Sequence, residues 1–187
     1  MFTLGEMKQK VLALIEELNP DSEYLTDDPD IATKINHVIN QVMFEAVRIK
    51  KLPKYIEKAV TAGQLIDSVA LKAECGKDVY QFGRVKGVDH EYKAEGTVIK
   101  ILESGTAEID FFVYPERISA ATSDDYVFEL SQDVLEVMPY GIAADLLKSD
   151  ISSEYGSVYA TRYESMLQRL DTRNHLPSIY FEGGVDI

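Results

Sequence analysis

The chain has 187 residues, 45% of them hydrophobic and 27% charged, with 19 Lys and Arg against 32 Asp and Glu, a formal net charge of −13. That size and composition suit one globular domain, or one domain carrying an insertion, and the acidic balance argues against sequence-independent nucleic-acid binding, which needs cations to neutralise phosphates. No apolar run is long enough to predict a membrane-spanning helix, the first residues lack the charged and apolar regions of a signal peptide, and the one cysteine, Cys75, allows no internal disulfide.

Thr3-Leu4-Gly5-Glu6 reads as a capping box. Leu4, Met7, Val11, Leu14, Ile15 and Leu18 then recur at helical spacing, and Asn19-Pro20 is the stop signal. A polar loop leads to Asp28-Pro29, an N-cap followed by proline at the favoured first position. Ile31, Ile35, Val38, Ile39, Val42, Met43 and Ala46 predict a long amphipathic helix closing on Arg48-Ile49-Lys50-Lys51, where positive charge suits the helix dipole.

Leu52-Pro53 changes the pattern. From Tyr55 to about Tyr114 the apolar period is closer to two than to 3.6, which predicts four to six antiparallel strands. Thr97 to Leu102 and Ala107 to Tyr114 flank Glu103-Ser104-Gly105-Thr106 and read as a hairpin. After Pro115, Thr122-Ser123-Asp124-Asp125 is turn chemistry. Ser131-Gln132-Asp133 opens a helix carrying Val134, Leu135, Met138, Ile142, Ala143, Leu146 and Leu147, and a last helix runs from about Ser153 to Arg169.

The expected architecture is α+β: mainly an α-helical bundle, with a small antiparallel β unit inserted between the second and third main helices. Its parts are N-terminal helices over 1–51, the β unit over 52–118, C-terminal helices over 119–173 and a flexible Pro/Gly-bearing tail over 174–187.

Chemistry-bearing patterns are sparse. His37, His90 and His175 are not at metal-ligand spacing, and Cys75 has no cysteine partner or visible base, so neither a metal site nor a catalytic nucleophile is predicted. Asp27-Asp28-Pro29-Asp30 and Ser123-Asp124-Asp125 lack the ligand spacing of a calcium loop and are accounted for by helix capping. Gly83-Arg84-Val85-Lys86-Gly87 lacks the Gly-Lys-Ser/Thr ending of a phosphate loop. Lys50, Lys51 and Lys54 form a basic cluster, read as a solvated helix end or as a contact for an acidic neighbouring subunit. Neither a catalytic site nor a cofactor is expected. The 11 tyrosines carry more information: Tyr155, Tyr159 and Tyr163 recur every four residues on the last helix. That spacing suits core packing and a subunit interface, where Tyr is enriched, equally well.

Several phrases, in order, resemble the head–tail connector, or tail adaptor, proteins of tailed bacteriophages and prophages. Phe111-Phe112-Val113-Tyr114-Pro115-Glu116-Arg117-Ile118 resembles that family's final strand and the exit from it. Val134 to Leu147, with Met138-Pro139-Tyr140-Gly141-Ile142-Ala143, is similar to its helix of Pro-Tyr-x-(Ile/Val)-Ala type. Tyr155 to Leu170, with Tyr163-Glu164-Ser165-Met166-Leu167, is similar to its closing helix, and the opening Leu4-to-Leu18 helix also suits it. Gly141, where a bulkier residue is usual, and the tail beyond Asn174 depart from the family pattern.

The resemblance implies a non-enzymatic virion protein: a homo-oligomeric ring at the virion neck, assembled in the host cytoplasm. The portal and tail-completion proteins would be its partners, and DNA would pass through without sequence-specific contact. It also nominates Pro139, Tyr140, Tyr155, Tyr159 and Tyr163 as subunit-interface residues. Pro139 would kink its helix so that one end meets a neighbouring subunit, or else would mark the first turn of a new helix beginning near Met138. A reading from a different class is a monomeric module that binds a small ligand or carbohydrate on the β unit, through Tyr80, Phe82 and Tyr92.

Overall fold

The computed structural model describes residues 2–148 and 154–174. Helix α1 (Leu4–Leu14) starts on the capping box: the Thr3 hydroxyl accepts the Glu6 N–H, and the Glu6 carboxylate accepts the Thr3 N–H at 2.9 Å. Leu4, Met7, Val11 and Leu12 are buried. The helix stops at Leu14, well before Asn19-Pro20. There Glu16 takes a left-handed φ of 62° and the Glu17 N–H closes on the Leu12 carbonyl at 2.9 Å, a stop turn that usually employs glycine.

Helix α2 (Pro29–Ile49) is capped by the Asp28 carboxylate, which accepts the N–H groups of Asp30 and Ile31. Its buried stripe is Ile35, Val38, Ile39, Val42, Met43, Ala46 and Val47.

Strands β1 (Pro53–Val60), β2 (Leu65–Asp67), β3 (Val79–Lys86), β4 (His90–Lys93), β5 (Val98–Ile101) and β6 (Gly105–Val113) follow, with a short helix α3 (Ser68–Cys75) between β2 and β3. They form two three-stranded antiparallel sheets, ordered β1-β6-β3 and β2-β5-β4. Helix α3 interrupts a region expected to be wholly β; Asp67 caps it and Gly76 ends it in the left-handed region. The expected hairpin is also corrected. Strands β5 and β6 are consecutive but belong to different sheets. Their alternating apolar residues, Ile99 and Ile101 on one and Ala107, Ile109, Phe111 and Val113 on the other, belong to one shared core, so the turn between them links two layers instead of two paired strands.

Helices α4 (Gln132–Leu147) and α5 (Tyr155–Asn174) complete the described residues. Helix α4 packs against α1, α2 and α5, and eight of its residues are buried. The tail expected over 174–187 lies, from His175 onward, outside the described residues.

The expectation of a mainly helical bundle is overturned. The chain is α+β, with five helices and two three-stranded sheets among the described residues, about 45% helical and 23% strand. The sheets close on a core of their own. Val60, Ile66, Leu71, Phe82, Ile99, Ile109 and Phe111 cluster there, separate from the helical core of Leu4, Met7, Ile39, Met43, Met138 and Ile142.

Between the two cores lies an aromatic junction. Tyr114 sits edge-on to Phe44 at 5.1 Å and over Tyr80 at 4.5 Å, and Tyr80 donates its hydroxyl to the Val47 carbonyl at 3.3 Å. Such ring pairs add modestly to the burial they accompany. Just beyond it, Asn40 clamps the backbone of Ile118 at both ends, donating to its carbonyl at 2.7 Å and accepting its N–H at 2.9 Å.

Candidate subunit interface

The five nominated residues divide by depth. Pro139 is buried inside α4, which runs without a break from Gln132 to Leu147. The alternative helix boundary at Met138 gives way to a continuous helix whose proline is buried in the protomer's own interior. Leu135 loses the backbone donor that a residue other than proline at 139 would supply; the packing of α4 on three other helices overrides that local loss.

Tyr163 is also interior, at 7% exposure. Its ring lies against Gly141: a Cβ placed on Gly141 would stand 2.8 Å from Tyr163 Cε2. Glycine at 141 therefore serves a close approach of α4 and α5 within one chain. The Tyr163 hydroxyl donates to Glu45 Oε2 at 3.0 Å. Burial first, and the Glu45 charge second, push its ionisation far above the usual tyrosine range.

Tyr140 and Tyr159 are half-buried. The Arg162 guanidinium stacks 4.2 Å over the Tyr140 ring. Tyr159 donates its hydroxyl to the Leu14 carbonyl at 2.7 Å, satisfying one of the carbonyls that the end of α1 leaves without a helical donor. Tyr155, at 65% exposure, and Val158, at 57%, are the large apolar side chains that α5 leaves in solvent.

Beside Tyr155 and Tyr159 is a groove of about 320 Å³, formed where the ends of α1 and α4 meet the starts of α2 and α5. Leu14, Ile31, Leu146 and Leu147 line it together with Glu16, Glu17, Asp28, Asp30 and Lys34. None of Leu14, Glu16, Glu17 or Leu147 was singled out from sequence as a site residue. A signal was present: from Val11 to Thr33 the chain carries Glu16, Glu17, Asp21, Glu23, Asp27, Asp28 and Asp30 and no Lys or Arg.

The remaining sequence candidates scatter. Lys50 pairs with Asp133 at 3.1 Å, Lys54 and Lys77 both reach Glu129, and Lys51 lies 4.9 Å over the Phe112 ring. The Lys54 and Lys77 pairs thus tie the β unit to the helical body within one chain, and the Lys50 pair joins α2 to α4. The Lys77 hydrogen bond holds the Glu129 carboxyl below its ordinary range. Tyr80 is in the aromatic junction, where burial pushes its phenol up to about 12. Phe82 is in the β core, and Tyr92 donates its hydroxyl to the Gly83 carbonyl at 2.6 Å. Cys75 is half-buried and His37 is exposed, while His175 lies outside the described residues. Among the described residues, no group of three or more His, Cys, Asp and Glu could hold a metal ion, and no helix is long and apolar enough to cross a membrane.

No protein-family model matches the chain, and no curated protein matches it.

Proposed function

We propose that this chain is a structural subunit of a phage or prophage virion, a head–tail connector that forms a ring of identical copies between the portal and the tail. The observation that carries the reading is the placement of its exposed apolar side chains on two bodies held by one packed junction. Tyr155 and Val158 stand out from the helical body; Tyr55, Leu65 and Val69, at 73%, 62% and 73% exposure, stand out from the β unit. A subunit that touches neighbours within a ring and also the next layer needs contact points of this kind on both bodies. The phrases that resemble the connector family fall on the end of β6 with its exit, on α4 and on α5, in that order. Pro139 and Tyr163 support the protomer from inside, so the interface centres on Tyr155 with Val158. The −13 charge keeps free subunits apart before assembly and suits a ring through which DNA passes.

Light scattering on the chain alone, and then with a portal ring from the same genome, tests this. The connector joins the portal in a fixed multiple. Tyr155→Ser with Val158→Ser weakens that joining at least tenfold while leaving the melting temperature of the free chain unchanged, because both side chains are exposed. A chain that stays monomeric beside the portal at high concentration refutes the reading.

A further inference from the structure

We infer that the groove between the four helix ends is a docking site for a basic, amphipathic segment of a different protein. Leu14, Ile31, Leu146, Leu147 and the rings of Tyr155 and Tyr159 supply apolar patches within a lining that is otherwise polar. Its volume, about 320 Å³, is at the small end of ligand cavities, roughly 300–1,000 Å³. It takes one or two anchoring side chains, with the rest of a segment lying across the rim.

The charged lining is acidic in balance, four carboxylates against Lys34. Asp28 is engaged in capping α2, and Asp30 pairs with Lys34 at 3.2 Å. Glu16 and Glu17 have no ion-pair partner among the described residues, and they sit at the C-terminal end of α1, where the helix dipole is already negative. A cation bridging the two carboxylates would relieve both repulsions.

Charge complementarity also selects the occupant. Nine lysines of this chain are already in ion pairs. Lys10, Lys51, Arg117 and Arg162 lie over aromatic rings. A second copy would bring a further charge of −13 against the first. Because a second copy is itself strongly acidic, the positive charge that best matches this rim is that of another, basic chain, with aliphatic side chains at helical spacing to meet the apolar patches.

The probe is an acetylated, amidated peptide of twelve residues with leucine and arginine pairs alternating at helical spacing. Two controls replace its arginines by glutamate or its leucines by serine. Binding to the full chain is followed by amide NMR shifts. The expected result is shifts concentrated at Leu14 to Glu17, Ile31 and Leu146 to Leu147, weaker binding at high salt, and loss of binding with either control. Glu16→Gln with Glu17→Gln weakens binding roughly threefold to tenfold, the scale of two exposed charge contacts. Glu16→Gly raises the melting temperature, since glycine takes the left-handed turn without strain, yet still weakens binding. Shifts centred elsewhere, equal binding by the serine control, or no effect of the Gln pair overturn the inference. So do concentration-dependent shifts at the groove without peptide, which assign it to a second copy. The groove can fail this test while the ring reading stands, and the reverse.

Discussion

Gly141→Ala reads the α4–α5 contact directly. An added Cβ would meet Tyr163 Cε2 at 2.8 Å and Cδ2 and Cζ at 2.9 Å, against about 3.5–4.0 Å for a relaxed carbon contact. The ring must retreat by roughly 0.7 Å or more. It borders a surface cleft between α2, α4 and α5, so room exists, but moving strains its 3.0 Å hydroxyl bond to Glu45. Overpacking of this kind costs about 1–3 kcal/mol, and alanine returns about 1 kcal/mol over glycine in a helix interior. The net expectation is a loss of about 1 kcal/mol by urea denaturation, or about 2–4 °C in Tm for a chain of this size. In a Tyr163→Ala background the clash is gone and only the propensity gain remains. There the same substitution raises stability by up to about 1 kcal/mol. A stabilised Gly141→Ala in the otherwise native chain, or an equal loss in both backgrounds, refutes the close-approach argument.

Alkali should unfold the chain earlier than an exposed set of tyrosines would allow. Tyr80 titrates near 10 when unfolded and at about 12 in the fold, and Tyr163 is displaced in the same direction, so the native state holds protons the unfolded state releases. Their contribution is therefore complete below pH 10 and falls as pH rises toward 12. Tyr80→Phe combined with Tyr163→Phe flattens that limb of the stability profile; an unchanged slope rules the linkage out. Asn40→Leu leaves both backbone groups of buried Ile118 without partners and is expected to cost about 2–4 kcal/mol by chemical denaturation; a loss under 1 kcal/mol shows that water replaces the clamp.

What the sequence made legible follows from what periodicity encodes. Thr3 and Asp28 announce helix starts because capping is local chemistry. The stripes of α2 and α4 announce themselves because burial of one face repeats every turn. Strand pairing is not local. Alternation along β5 and β6 says which side chains face a core but not which strand lies alongside, so two strands of different sheets read as one hairpin. Helix α3 escaped notice because eight residues with Leu71 as their one fully buried position present almost no period. Tyr155, Tyr159 and Tyr163 look equivalent at four-residue spacing. Eight residues nevertheless turn a helix about 80° past whole turns, which is enough to carry Tyr155 out of the core that holds Tyr163. The groove was hidden for a related reason: its walls come from four separate helix ends, and its clearest trace is a run without a cation.

The β unit can be large without loosening the helices because of how it is entered. Its first and last strands are partners: Pro53 lies opposite Phe112, and the Val113 N–H donates to the Leu52 carbonyl at 3.1 Å. To the helical body the whole insertion therefore looks like a short connection. The entropy of closing it depends on the separation of its ends and only weakly on its length. Holding the unit at one angle is a separate requirement, which paired strands alone do not meet, since a two-stranded ribbon twists readily. The rings of Phe44, Tyr80 and Tyr114 and the Lys54 and Lys77 pairs to Glu129 join the strands to the helical body. Rotation of the β unit about its stalk would have to break these together. Contact points on the two bodies thus keep a fixed spacing, the property a subunit needs if its copies are to close a ring and register with the next layer.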